Sequence, residues 1–272
     1  MYSDRGNENS RKVLKNIKRL KLNRLISVII FLLAFIPGTV HGSNTMKADP
    51  NSYSVIYFKN NQFYMFEKSG ENQKLSDTIF LGVNNDEDVY RQYQNDFAQA
   101  SKDGNTVYFI ESYDLDRRVG ELYIKESRKE KEKIASEVSK YFTISEDGST
   151  VLFLKNYDFE NDTGELYAYS KGQKIEKISD DVDYDYLINN EGNAIIFLAR
   201  GNDYKWDLWK FEAGKGKYKV DSDVFRFYTY DFNGIVYLKD YSLEWKGNLY
   251  IHKGQDEPEK IDEDVFSILT VH

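Results

Sequence analysis

The 272-residue sequence contains no cysteine, only three prolines and only three histidines. Without cysteine, neither a disulfide frame nor a thiolate metal site can form. The histidines are His41, His252 and His272, far apart in the chain, and no Gly-x-Ser-x-Gly elbow accompanies them. A Ser-His-Asp arrangement therefore lacks its base, and a zinc site lacks ligands. No uninterrupted apolar run approaches the roughly 20 residues of a membrane-spanning helix. The body of the chain also lacks basic excess. Residues 1–42 hold eight Lys/Arg against Asp4 and Glu8, which leaves 29 basic and 43 acidic residues for the rest. An acidic body is a poor match for nucleic acid, whose phosphates require a basic surface.

The basic residues that do occur cluster at the start. Arg11, Lys12, Lys15, Lys18, Arg19, Lys21 and Arg24 form a cytoplasmic n-region over 1–24, and residues 25–36 are apolar apart from Ser27. Pro37-Gly38 ends that run, and Val40-His41-Gly42 offers small or permissive residues for signal peptidase. The segment 25–42 thus reads as a signal peptide or, because the n-region is long, as an uncleaved membrane anchor with its basic side in the cytoplasm. Both readings put the remaining chain outside the cytoplasm, secreted or tethered to the membrane.

From residue 49 onward a unit of about 43 residues repeats. Ser-Lys-Asp-Gly at 101–104 recurs as Ser-Glu-Asp-Gly at 145–148, Asn-Asn-Glu-Gly at 189–192 and Asp-Phe-Asn-Gly at 231–234. Later in each unit come Gly120-Glu121-Leu122-Tyr123, Gly164-Glu165-Leu166-Tyr167, Asp207-Leu208-Trp209 and Gly247-Asn248-Leu249-Tyr250. Each unit closes on an acidic residue before Val138, Val182, Val224 or Val265. In the type unit, Tyr141 to Ile144 is an inner strand and Asp147-Gly148 a tight hairpin turn. Val151-Leu152-Phe153-Leu154 is a strand buried on both faces, residues 165–169 an alternating strand, and 174–179 a polar outer strand. Four antiparallel strands in this span make one propeller blade, and the 22 Tyr and 17 Phe suit such a β-rich core. The first unit lacks an innermost strand. Residues 265–272 have the apolar character to supply it, so the expected fold is an all-β, five-bladed ring of four-stranded blades over 49–272, closed by the C-terminus and preceded by the N-terminal helix.

The pattern Ser-x-Asp-Gly-x-x-Val-x-Phe, then Gly-Glu-Leu-Tyr, then a basic-apolar strand resembles the TolB-like (WD40-like) propeller repeats of bacterial exported proteins. The resemblance covers roughly 49–272. It departs from the family where Lys102, Glu146 and Asn190 replace the usual Pro before Asp-Gly, and where Trp206-Asp207 stands before the third strand. The resemblance implies an extracytoplasmic, non-catalytic module that binds or scaffolds a protein or cell-envelope ligand, with no cofactor. The alternative is a five-bladed glycosidase, which needs two acids across the scissile bond. The inner-strand columns, Asp96, Lys140, Tyr184, Arg226 and Phe97, Tyr141, Asp185, Phe227, are mixed rather than acidic.

Metal binding is not expected. Asp158-x-Glu160-x-Asp162-x-Gly164 puts its glycine one residue late for a calcium loop, and the sister loop carries Arg118 where a ligand should be. The candidate ligand face follows from how loops sort. Loops joining strands two and three, together with the blade-to-blade turns, should share one face. They hold Tyr113, Asp114, Tyr157, Asp158, Tyr204, Trp206, Tyr241 and Trp245, beside acidic turns such as Asp180-Asp181 and Asp262 to Asp264. The remaining hairpins hold Lys131, Lys133, Lys171, Lys215 and Lys217. One face should be acidic and aromatic, suited to a cationic ligand, and the other comparatively basic. A stretch at 84–94 has no counterpart in other units and should be a loop on the acidic side.

Overall fold

An acidic residue in the left-handed region followed by a buried valine carries the chain from one blade-like unit to the next. Glu137, Asp181, Asp223 and Asp264 have φ of 60°, 51°, 61° and 56°, and Val138, Val182 and Val224 are fully buried. In the computed structural model, the residues described are 55–271 except 67–69, 83–95, 202–204, 230, 243, 255 and 270. The expected n-region and signal or anchor segment, and the insertion at 84–94, lie outside the described residues. Among the described residues no helix is long and apolar enough to cross a membrane.

All the described elements are strands. The first unit comprises β1 (Val55–Lys59), β2 (Gln62–Phe66) and β3 (Asn72–Lys74), a three-stranded antiparallel sheet. Then come β4 (Ala98–Ala100), β5 (Thr106–Asp114), β6 (Val119–Glu126), β7 (Glu132–Ile144), β8 (Thr150–Asp158), β9 (Thr163–Ser170), β10 (Glu176–Ile188), β11 (Ala194–Arg200), β12 (Trp206–Glu212) and β13 (Gly216–Asp221). These ten pair antiparallel in chain order as one continuous sheet. The last unit is β14 (Val224–Thr229), β15 (Gly234–Lys239), β16 (Gly247–Lys253) and β17 (Glu259–Val265).

The continuity of the long sheet has a simple cause. β7 and β10 are 13 residues each and serve two units. Val138 pairs with Gly120 on β6 and with Lys155 on β8, and Val182 pairs with Gly164 on β9 and Ala199 on β11. The left-handed residue just before each valine makes a bulge, which bends the strand as it leaves one unit and enters the next. The expected outer and inner strands of neighbouring blades are therefore two halves of one bent strand.

Apolar side chains on the second strand of each unit alternate between two cores. On β8, Val151 and Phe153 belong to a cluster shared with β5 and the first unit, while Leu152 and Leu154 belong to one shared with β10 and β11. On β11, Ile195 and Phe197 face back into that second cluster, and Ile196 and Leu198 face forward to Val224, Phe227 and Tyr237. The hydrophobic core thus lies between units rather than within them, as the unbroken apolar runs require.

One expectation is corrected here. β17 ends at Val265, and among the described residues 266–271 no strand pairs with β1. Phe266 and Leu269 are exposed instead. The residue types suit a strand, but β propensity follows packing, and Phe266 and Leu269 are not packed into a core.

Glycine at the start of the Gly-Glu-Leu-Tyr motif reflects close approach. A Cβ on Gly120 would lie 2.6 Å from Ile110 Cγ2 and 3.0 Å from the Glu111 carbonyl oxygen, and Gly247 would meet the Lys239 carbonyl oxygen at 2.9 Å. Gly234, also at a strand start, has nothing within 4 Å. Gly120→Ala should therefore destabilise by about 1–3 kcal/mol through overpacking, whereas Gly234→Ala should be neutral or stabilising by up to about 1 kcal/mol. Urea denaturation of the two variants decides this, and equal midpoints would refute the close approach.

Candidate functional site

Most of the repeated polar residues are consumed by the fold. In the Ser-x-Asp-Gly turns, Ser101 Oγ donates to Asp103 Oδ1 at 2.6 Å, and Asp103 Oδ1 accepts from the Asn105 amide at 2.9 Å. The Thr106 amide closes the turn by donating to Ser101 Oγ at 3.0 Å. Ser145, Asp147, Ser149 and Thr150 repeat this arrangement. The Ser101 hydroxyl and then the Asn105 amide hold the Asp103 carboxyl below its ordinary pKa. In the Gly-Glu-Leu-Tyr motif, Glu165 pairs with Lys177 of the adjoining strand at 2.8 Å and accepts from the Tyr167 hydroxyl at 2.8 Å. Tyr167 stacks across the strands on Phe153, with ring centroids 5.8 Å apart. Glu121, Lys133, Tyr123 and Phe109 repeat that arrangement. Such residues recur because every blade needs them.

The same accounting removes half of the expected ligand face. Tyr113 is buried edge-on between Phe97 and Phe80, at 4.7 and 6.4 Å. Tyr157 is buried between Tyr141 and Phe159, at 5.0 and 4.7 Å. Both residues directly follow a left-handed residue, Ser112 or Asn156, as Tyr241 follows Asp240. Asp114 and Asp158 are turn formers. Asp114 Oδ1 accepts from the amides of Asp116 and Arg117, and Asp158 Oδ1 from those of Glu160 and Asn161. Trp206 is half-buried with the Arg200 guanidinium 5.6 Å from its ring. Tyr204 lies outside the described residues. Among the described residues, no group of three or more His, Asp and Glu side chains is placed to hold a metal ion.

The opposite loops are not the basic surface expected from their lysines. Lys131 is paired with Glu111 and Asp77, Lys133 with Glu121 and Lys215 with Glu212, while Lys171 donates to the Thr106 hydroxyl. The Ser-x-Asp-Gly turns add Asp103, Glu146, Asp147 and Glu191 against Lys102, lining an open groove of about 550 Å³. The hairpin lysines are thus engaged with acids or hydroxyls on their own side of the molecule.

Two expected residues do come together at the surface, with a third that the loop sorting missed. Tyr241 stacks on Phe225 at 4.0 Å with rings 6° apart, and Trp245 meets Tyr241 edge-on at 6.5 Å. Phe225 and Trp245 are 39% and 40% exposed. The Tyr241 hydroxyl donates to the Phe266 carbonyl at 3.2 Å, bringing another exposed aromatic alongside. Burial against these rings raises the Tyr241 pKa. Asp240 and Glu244 flank the cluster in sequence. Phe225 was legible in principle: it occupies a position that reads Ser139 and Asp183 in the units before it.

Blade-like antiparallel units with their cores between them define an all-β protein of propeller type. No protein-family model matches the chain, and no curated relative does. Among solved structures it is similar to TolB from Acinetobacter baumannii, at 12% identity and a TM-score of 0.40 over 78% of this chain and 52% of that one. It is also similar to a putative TolB from Agrobacterium tumefaciens, at 11% identity and a TM-score of 0.40 over 76% of each chain. A third is the β-propeller domain of the Trilobed protease from Pyrococcus furiosus, described as having an open velcro topology, at 13% identity and a TM-score of 0.45 over 62% of this chain and 58% of that one. The chain spans about half the length of the first of these.

The Tyr157 hydroxyl is buried without a hydrogen-bond partner, and burial pushes its pKa up. Tyr186 is equally enclosed, but its hydroxyl donates to the Tyr141 carbonyl at 2.8 Å. Tyr157→Phe should therefore leave stability unchanged or raise it by up to about 1 kcal/mol, while Tyr186→Phe should lose about 1 kcal/mol. Equal losses in thermal melts would mean that the Tyr157 hydroxyl has a partner, and that it belongs to a site after all.

Proposed function

We propose that this chain is an extracytoplasmic, non-catalytic β-propeller of five blades that binds or scaffolds a protein or cell-envelope ligand. The single observation that carries the reading is the exposed Phe225–Tyr241–Trp245 cluster, which no packing role in the repeat explains. Rigid aromatic rings at a surface give contact area at small entropic cost, and such residues dominate binding energy at protein interfaces. Trp245 supports the assignment a second way. It stands in the left-handed region at φ 65°, a costly conformation for a bulky residue. The equivalent Arg118 and Asp162 share that conformation, so the fold imposes it, yet here it holds a tryptophan ring toward solvent. The Arg226 guanidinium already lies 5.9 Å from the Phe225 ring, so the rings accept a cation at their faces, and a basic segment of the ligand would gain cation–π contact there.

Phe225→Ala and Trp245→Ala should each weaken capture of a basic peptide ligand by about tenfold or more, with melting unchanged. Added salt should slow association. Lys171→Ala with Lys215→Ala is the control and should change little. Binding that survives both aromatic substitutions but fails in the lysine control would move the site to the other loops.

Export supplies a separate test. The basic n-region followed by residues 25–36 supports placement outside the cytoplasmic membrane, so protease added to intact protoplasts should digest the chain beyond Ser43. A protected body would overturn the extracytoplasmic reading and leave the aromatic cluster to be judged by its own binding test.

A further inference from the structure

Among the described residues His252 is the one histidine on a strand. It lies on β16 at the position held by Lys125, Tyr169 and Phe211 in the earlier units. The residue is only 6% exposed, and among the described residues its ring nitrogens make no hydrogen bond to the protein, yet they are not sealed from solvent. It lines a cavity of about 280 Å³ between β13 and the hairpin leading to β17, together with Tyr218, Lys219, Asp256, Glu257 and Pro258. An imidazole placed at the wall of such a cavity makes its hydrogen bonds to whatever occupies the cavity, water or a ligand.

The donor and acceptor inventory of this cavity is lopsided. A neutral imidazole offers one lone pair, the Tyr218 phenol another, and the two carboxylates several more. Asp256 and Glu257 take part in no ion pair among the described residues. The nearby cations are already engaged. Lys219 faces Asp207 at 3.4 Å, and Lys210, behind the histidine, donates to the Phe232 carbonyl at 2.9 Å and pairs with Glu212 at 2.8 Å. Acceptors and negative charge are in surplus, and a group carrying several N–H donors with a positive charge would satisfy them. We propose that this cavity is a binding site for a primary ammonium group, supplied by a small amine or by a lysine side chain. In it, His252 is the buried acceptor, and Asp256 and Glu257 are the counter-charges.

The charge state of the ring fits this role. Burial, then the Lys210 ammonium, lower the His252 pKa from its ordinary 6.5, against the opposing pull of Asp256, Asp221 and Glu257. Both effects favour the neutral ring, whose lone pair can accept a hydrogen bond. The folded state takes up this proton less readily than the unfolded chain, so stability is lost as pH falls below the ordinary value. Protonation would also set a cation against the ligand, so ammonium binding and acidification oppose each other.

The test is an NMR titration of the full chain, following the His252 ring nitrogens with n-butylammonium, with tetramethylammonium, and with a peptide bearing one lysine and an acetylated N-terminus. A saturable shift is expected with n-butylammonium and not with tetramethylammonium, which carries the same charge but no N–H. A matching shift with the peptide would assign the site to a lysine side chain, and no response to the peptide would assign it to free amines. The Asp256→Asn, Glu257→Gln double variant, altered only at exposed rim positions, should weaken the response about tenfold or more. Binding should also fade as pH drops through the ring's titration. The proposal is overturned if tetramethylammonium shifts the ring as n-butylammonium does, if the double variant titrates like the parent, or if no probe gives saturation.

Discussion

Burial of the second strand of every unit on both of its faces is the constraint from which the rest of the structure follows. A strand such as β8, with Val151 and Phe153 in one core and Leu152 and Leu154 in the next, cannot be stable in an isolated hairpin. It requires a layer on each side, and the neighbouring units are those layers. Removing a side chain such as Leu154 would cost about 2–5 kcal/mol in one core. A packing change in one unit is felt in the next, because the strand between the two cores is shared. Stability in such arrays is a property of neighbours and not of single repeats.

The joints between units show how the backbone meets that requirement. Packing sheets face to face demands that the chain leave the outer edge of one unit and re-enter near the inner edge of the next. β7 and β10 do this without breaking their hydrogen-bond ladders, by one left-handed residue before a valine that pairs on both sides. Asp tolerates that conformation better than most residues, which accounts for Asp181, Asp223 and Asp264. Glu137 has no such advantage, and its carboxylate pairs with Arg117 at 2.6 Å. The acidic column that suggested a ligand-attracting face is thus in the first place a backbone device.

This explains which parts of the molecule were legible in the sequence. Strand positions, turn chemistry and the period were readable because each depends on local rules: apolar alternation, glycine where a Cβ has no room, and Ser or Asp where a turn needs an acceptor. Direction of side chains in the loops was not readable. Tyr113, Tyr157 and Tyr241 stand at equivalent positions, yet the first two are buried and the third joins a surface cluster. The difference lies in what the neighbouring unit offers: Phe80 and Phe97 for Tyr113, Tyr141 for Tyr157, but an exposed Phe225 for Tyr241. The partners of the lysines were not readable for a related reason, since some are acids distant in sequence, as Asp77 and Glu111 are for Lys131. The closing strand expected over 265–272 failed because apolar composition permits a strand without supplying its partner.

A repeat therefore hides function where it is most regular and reveals it where it departs. Whatever recurs in every unit answers a need that every unit has, and the Ser-x-Asp-Gly and Gly-Glu-Leu-Tyr residues are each engaged in such a task. Phe225 replaces a small or acidic residue, Trp245 occupies a strained turn position otherwise held by Arg118 and Asp162, and His252 replaces Lys125, Tyr169 and Phe211. All three departures fall in the last unit. Two of them add partly exposed aromatic rings at the surface, and one sets an imidazole at the wall of a cavity. The proposed binding by the last unit rests on these departures.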